Sequence, residues 1–301
     1  MFCNLLNIFN FLFNCGKAGF RESKVQCLDL HGLHSMSYVE WGNSANPRVL
    51  ICAHGLTRNG RDFDFLARHL SKDYRVVCPD IVGRGKSDWL KDPNNYGVPL
   101  YVNDIVTLIA RLNVQSVDWI GTSMGGLIGM ALAAQPNTPI RKLVLNDAGP
   151  VLRIASLKRI GQYVGKGPNF SDLASAERYI REISVPFGPL SDEQWRHLTV
   201  HVVRKQPDGS YKFVYDPNIS LPFNGMIAGG RDIEMWQYWD AIKCSTLVLR
   251  GAQSDLLLPD TAQQMMIRGP RAKIIEIPGV GHSPMLMNQA QIQIVKEFLL
   301  T

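Results

Sequence analysis

The hexapeptide Gly121-Thr122-Ser123-Met124-Gly125-Gly126 constrains the fold of this chain more than any other stretch. It follows the apolar run Ser116-Val117-Asp118-Trp119-Ile120 and leads into Leu127-Ile128-Gly129-Met130-Ala131-Leu132-Ala133. A short apolar run bounded by glycine reads as a buried strand, and the longer run after it as a buried helix. The six residues between them must therefore turn the backbone sharply, at glycines 121 and 125, where a Cβ would collide. A serine on such a turn is lifted clear of the chain and faces the free N–H groups of the helix that follows. A strand buried on both faces and followed at once by a helix belongs to a parallel sheet, because parallel neighbours need a crossover.

The rest of the chain repeats this alternation. Residues 25–30 and 35–41 read as an opening antiparallel pair turned at His31-Gly32, and residues 48–53, 74–78, 116–120, 140–145, 246–249 and 273–277 as strands. Helical spacing covers residues 61–70, with Phe63, Leu66 and Leu70 on one face, and residues 100–112 and 289–300. Between the strands ending near 145 and starting near 246 lies an insert with helical patterns at 151–164, 172–183 and 192–203. It also carries a hairpin signal at Asp208-Gly209. The expected organisation is an extension over 1–22, a core over 23–149 and 242–301, and a mainly helical cap over 150–241. The cap is expected to cover the C-terminal edge of the sheet, where open α/β sheets bind ligands.

Composition narrows the function classes. With 46% hydrophobic and 19% charged residues in 301, the chain buries a full core. The net charge of +6 comes from scattered Lys and Arg, without the basic run of a nucleic-acid arm. The six cysteines (3, 15, 27, 52, 78 and 244) show neither a C-x-x-C pair nor zinc spacing, and read as thiols of a cytoplasmic protein. Residues 2–13 are mostly apolar, with Asn4, Asn7, Asn10 and Asn14 at helical spacing. They lack the flanks of a secretory signal and the length of a membrane span. A poorly ordered extension is the favoured reading, and an interfacial helix beside Lys17, Arg21 and Lys24 the alternative.

A serine nucleophile needs a base, and the base an orienting acid. His282, in Gly279-Val280-Gly281-His282-Ser283-Pro284 after the last strand, is the candidate base. Asp255, beyond the strand at 246–249, is the preferred acid, and Asp147, in Leu145-Asn146-Asp147-Ala148-Gly149, its rival. The order Ser123, Asp255, His282 is nucleophile, acid, base. Backbone N–H groups of Leu56, in His54-Gly55-Leu56, and of Met124 are expected to form the oxyanion hole, with His54 structural. His197 and His201 lie one helical turn apart, but no third metal ligand accompanies them in sequence, and a solvated helix face is the preferred reading. Neither metal nor organic cofactor is expected.

These motifs, with Asp80-Ile81-Val82-Gly83-Arg84-Gly85-Lys86-Ser87 after a strand, resemble those of the α/β-hydrolase superfamily from about residue 25 to the C-terminus. The resemblance implies a mostly parallel eight-stranded sheet with helices on both faces and an inserted cap. It also implies a serine hydrolase acting on a small acyl substrate through an acyl-enzyme. Serine at the elbow argues against the aspartate-nucleophile dehalogenases and epoxide hydrolases. An acyltransferase, a carbon–carbon bond hydrolase using Arg153, Arg159, Arg178 or Arg181 for a carboxylate, and a non-enzymatic receptor are the alternatives. Trp195, Trp236, Trp239, Met226 and Phe223 are the expected pocket walls; substrate and oligomeric state stay open.

Overall fold

The computed structural model describes residues 19–301. Eight strands form one sheet in the order β1-β2-β4-β3-β5-β6-β11-β12. β1 (Phe20–Asp29) and β2 (Gly32–Trp41) make the antiparallel hairpin, and β4 (Arg75–Pro79) runs antiparallel to β2. From β4 onward every neighbour is parallel: β3 (Val49–Ala53), β5 (Val117–Thr122), β6 (Ile140–Asn146), β11 (Ser245–Gly251) and β12 (Lys273–Ile277). The interfacial-helix reading of 2–13 and the extension up to 18 lie outside the described residues. β1 starts at Phe20 rather than near 25, because Phe20 pairs with Trp41 and stacks on it at 5.1 Å.

The parallel strands are apolar throughout because both faces are covered. α1 (Asp64–Leu70) and α10 (Gln289–Leu300) bury Leu66, Leu70, Val295 and Leu299 against one face. α2 (Val98–Leu112) and α3 (Met124–Ala133) bury Ile105, Leu108 and Ile128 against the other. α2 ends where Asn113 adopts the left-handed conformation, a common stop for a side chain that tolerates it. Residues 60–63 form a 3₁₀ turn instead of the first turn of the expected helix, since Asn59 accepts from Arg61 N–H and pins the entry.

Between β6 and β11 the chain leaves the sheet. β7 (Val151–Leu152) pairs with β10 (Ile233–Glu234), so residues 151–152 are extended rather than helical. The segment also contains α4 (Ile154–Ile160), α5 (Leu173–Ile183), α6 (Asp192–Val202), α7 (Ser220–Ala228) and α8 (Trp236–Ala241). α5 and α6 both start with capping boxes, Asp172 with Ser175 and Ser191 with Gln194. The Asp208-Gly209 turn joins β8 (Val203–Lys205) to β9 (Tyr211–Phe213). A separate apolar cluster of Phe170, Ile180, Trp195, Leu198 and Val202 holds this layer together. α9 (Pro259–Ile267) then bridges β11 to β12.

Candidate active site

Ser123 sits between β5 and α3 with φ +52° and ψ −115°, a backbone conformation that non-glycine residues rarely adopt. Two close approaches enforce it. A Cβ on Gly121 would lie 2.1 Å from the Gly125 carbonyl oxygen, and one on Gly125 would lie 2.0 Å from that of Ala53. The turn is then locked from three sides: Ser123 N–H donates to Asn146 O, Gly125 N–H to His54 O, and the buried Trp119 indole to Gly125 O.

His282 reaches this serine from the loop after β12. Its Nε2 lies 2.9 Å from Ser123 Oγ and its Nδ1 2.7 Å from Asp147 Oδ2. Asp147 follows β6, the immediate neighbour of β5, and is fully buried. Its Oδ1 accepts Gly251 N–H at 2.9 Å and its Oδ2 also accepts the Ser254 hydroxyl at 2.6 Å. This carboxylate is thus held by groups at the end of β11, the strand expected to supply the acid itself.

Asp255, the acid preferred from sequence order, does not meet His282. The turn closed by Ser254 N–H on Gly251 O points Ser254 inward and Asp255 outward. Asp255 is instead 45% exposed and chelates Arg159 of the cap at 2.6 and 2.9 Å. Both aspartates lie just beyond a strand, so spacing alone could not separate them; the register of the turn does.

Leu56 lies in the turn after β3, and a Cβ on Gly55 would sit 3.8 Å from Ser123 Cβ. Met124 is the first residue of α3, whose first N–H groups have no intrahelical acceptor. The fully buried Arg84 clamps the two together. Its guanidinium donates to Leu56 O, Val82 O and the Tyr101 hydroxyl, and lies 3.4 Å from Met124 Sδ. The 80–87 stretch therefore supports the site from below. His54 is buried too: Ile81 N–H donates to its Nε2, so its Nδ1–H donates to Gly55 O at 2.7 Å. Desolvation pushes its pKa down to about 3, which leaves a neutral ring that pins the turn.

A cavity of about 100 Å³ opens over Ser123 and His282. Its cap walls are Tyr163, Tyr179, Phe187, Phe213 and Tyr215, with Arg159 and Arg58 at the polar side. None of the five expected wall residues lines it. Trp239 is buried against Gly269 and Arg268, and Trp195 and Phe223 belong to the cap's packing, while Met226 and Trp236 lie elsewhere on the cap. Apolar character marked those residues; only the placement of the cap helices selects the wall. Arg58 is anchored on Asp62 at 2.6 and 2.8 Å, and its loop position carried no sequence signal. Arg153 pairs with Asp232 and Asp260, and Arg181 with Glu177 and Asp192, both outside the cavity lining.

His197 and His201 meet edge-to-face with ring centroids 4.5 Å apart, and a third potential ligand does accompany them: Asp64, 3.6 Å from His197 Nε2. The Arg61 guanidinium already occupies that carboxylate. No helix among the described residues is long and apolar enough to cross a membrane.

Residues 50–293 match the family model described as the alpha/beta hydrolase family. The chain belongs to that family. Among its relatives, the 3-hydroxybutyrate-oligomer hydrolase of Cupriavidus necator is 51% identical over 91% of this chain and 96% of that protein. An esterase of Mycobacterium tuberculosis is 25% identical over 89% of this chain and 87% of its own length. A solved alpha/beta hydrolase from Novosphingobium aromaticivorans is 33% identical and superposes with a TM-score of 0.84, covering 95% of this chain and 99% of the other. The alpha/beta hydrolase architecture accounts for the sheet order, and the chain is a hydrolase of this family.

Proposed function

We propose that this protein hydrolyses carboxylic esters of short hydroxy acids through a Ser123 acyl-enzyme. The observation that carries the reading is the His282 ring bridging Ser123 Oγ and Asp147 Oδ2. Asp147 accepts the Nδ1 proton and fixes the tautomer whose Nε2 is a free base. As Ser123 Oγ bonds to the acyl carbon, its proton passes to Nε2. The N–H groups of Leu56 and Met124 receive the oxyanion, and Nε2–H then protonates the departing alcohol. Water attacks the acyl-enzyme by the same route, giving a carboxylic acid and free Ser123.

Three features support the substrate class. The Cupriavidus necator relative is a 3-hydroxybutyrate-oligomer hydrolase. The cavity of about 100 Å³ suits one short acyl unit better than a long chain. Arg58 and Arg159 line it, each held rigid by a carboxylate, and guanidinium groups suit the free carboxylate end of a hydroxy-acid oligomer. No nucleic acid is expected as a partner. The four described cysteines are free thiols, in keeping with a reducing, cytoplasmic setting.

The test is hydrolysis of 3-hydroxybutyrate dimer and trimer beside a short neutral ester, with product analysis. Wild type should release monomer, and Ser123→Ala should lose the activity while melting normally. Undiminished turnover in Ser123→Ala would remove the nucleophile. Turnover of the neutral ester but not of the oligomers would remove the substrate class alone.

A further inference from the structure

Where the β1–β2 hairpin packs on α2, three buried side chains of metal-ligating type converge. Cys27 on β1 and His34 on β2 are direct cross-strand partners in the hairpin, and Asp104 projects onto them from α2. Their ligand atoms all lie within 4.8 Å of one another, and none of the three residues is more than 6% exposed. His34 Nε2 is 2.9 Å from Asp104 Oδ2. The tautomer that donates there leaves Nδ1 as a bare lone pair, and neither that nitrogen nor Asp104 Oδ1 has a hydrogen-bond partner among the described residues. Buried polar atoms left without a partner are costly and call for an occupant.

We propose that Cys27, His34 and Asp104 form a binding site for a borderline-soft divalent cation, best matched by zinc, that fastens the β1–β2 hairpin to α2. The donor set decides the class. One thiolate, one imidazole and one carboxylate suit zinc, whereas magnesium and calcium prefer oxygen alone. Around a tetrahedral zinc, ligands at about 2.0–2.3 Å lie roughly 3.3–3.7 Å apart, within the 4.8 Å that bounds these ligand atoms. A fourth position remains for water.

The surrounding charge favours a cation. Asp104 itself and the nearby Asp29 are both negative. The His197–His201–Asp64 group is the opposite case, with Arg61, Arg58 and Lys86 around it. The Cys27 thiol must give up its proton to ligate. Binding exchanges that proton for the metal: the S–H bond breaks, an S–metal bond forms, and one proton leaves to solvent.

The experiment uses the full chain carrying Ser123→Ala and His282→Ala, stripped with a chelator and titrated with cobalt(II), then with zinc. The expected result is one equivalent of cobalt with a thiolate-to-cobalt charge-transfer band, displaced by zinc, and a thermal midpoint raised by zinc. Cys27→Ala should lose the band and the zinc-induced shift, and His34→Gln should weaken binding at least tenfold. X-ray absorption at the cobalt edge should read one sulfur among nitrogen and oxygen ligands, which keeps the test decisive if either variant fails to fold. No thiolate band, a sulfur-free coordination shell, or a band that survives in Cys27→Ala would overturn the proposal.

Discussion

Replacing Asp147 by Asn should cripple catalysis far more than the same change at Asp255. In the native site every contact to the Asp147 carboxylate comes from a donor: Gly251 N–H on Oδ1, and Ser254 O–H and His282 Nδ1 on Oδ2. An Asn amide offers one acceptor oxygen and one NH₂ group, so one side must set a donor against a donor. With NH₂ toward His282, the ring is pushed to the tautomer protonated on Nε2, which cannot take the Ser123 proton. With NH₂ toward Gly251, a buried backbone N–H loses its acceptor, at about 1–3 kcal/mol of stability. The tautomer error typically lowers kcat about ten-thousandfold, or about 5.4 kcal/mol of transition-state stabilisation. Asp255 holds only a half-exposed pair with Arg159, worth about 0–1 kcal/mol, so Asp255→Asn should change kcat by a few-fold at most. The assay is kcat and kcat/KM on a short neutral ester, with thermal melts to establish folding. Equal losses in the two variants, or kcat within tenfold of wild type for Asp147→Asn, would refute the reasoning.

Arg84→Met should lower kcat roughly tenfold or more with KM little changed, because the Leu56 turn loses its clamp and removal of one oxyanion donor costs about a hundred- to thousandfold; unchanged kcat in the folded variant would show that the turn holds itself. The fully buried His54 has a pKa near 3 in the folded state against 6.5 free, so its stabilising effect is complete above pH 6.5 and fades as pH falls toward 3. Urea unfolding should lose about 1.4 kcal/mol per pH unit from this group across that window. His54→Gln should remove that slope, and an unchanged slope in the folded variant would count against the assignment.

The sequence by itself determined the elbow, the parallel core and the histidine that meets Ser123. Gly121 and Gly125 flank Ser123 because no side chain fits against the Gly125 and Ala53 carbonyls, and that constraint is local enough to read from six residues. The apolar runs of β3, β5 and β6 announce burial on both faces for the same reason. His282 was legible because it stands just beyond the last strand of the sheet. What only the tertiary structure decided was which aspartate meets His282, the cavity wall and the grouping of distant side chains. Asp147 and Asp255 carry equal local signals, and the choice between them rests on the turn that points Ser254 toward Asp147 beyond β6 and Asp255 toward solvent. The cap helices are amphipathic in sequence, but which aromatic rings overhang Ser123 depends on how α4, α5 and β9 seat on the sheet edge. Cys27, His34 and Asp104 span 77 positions and meet only because hairpin register and helix packing act together. Local sterics can be written in a short stretch of sequence; convergence of remote side chains depends on the packing of whole elements.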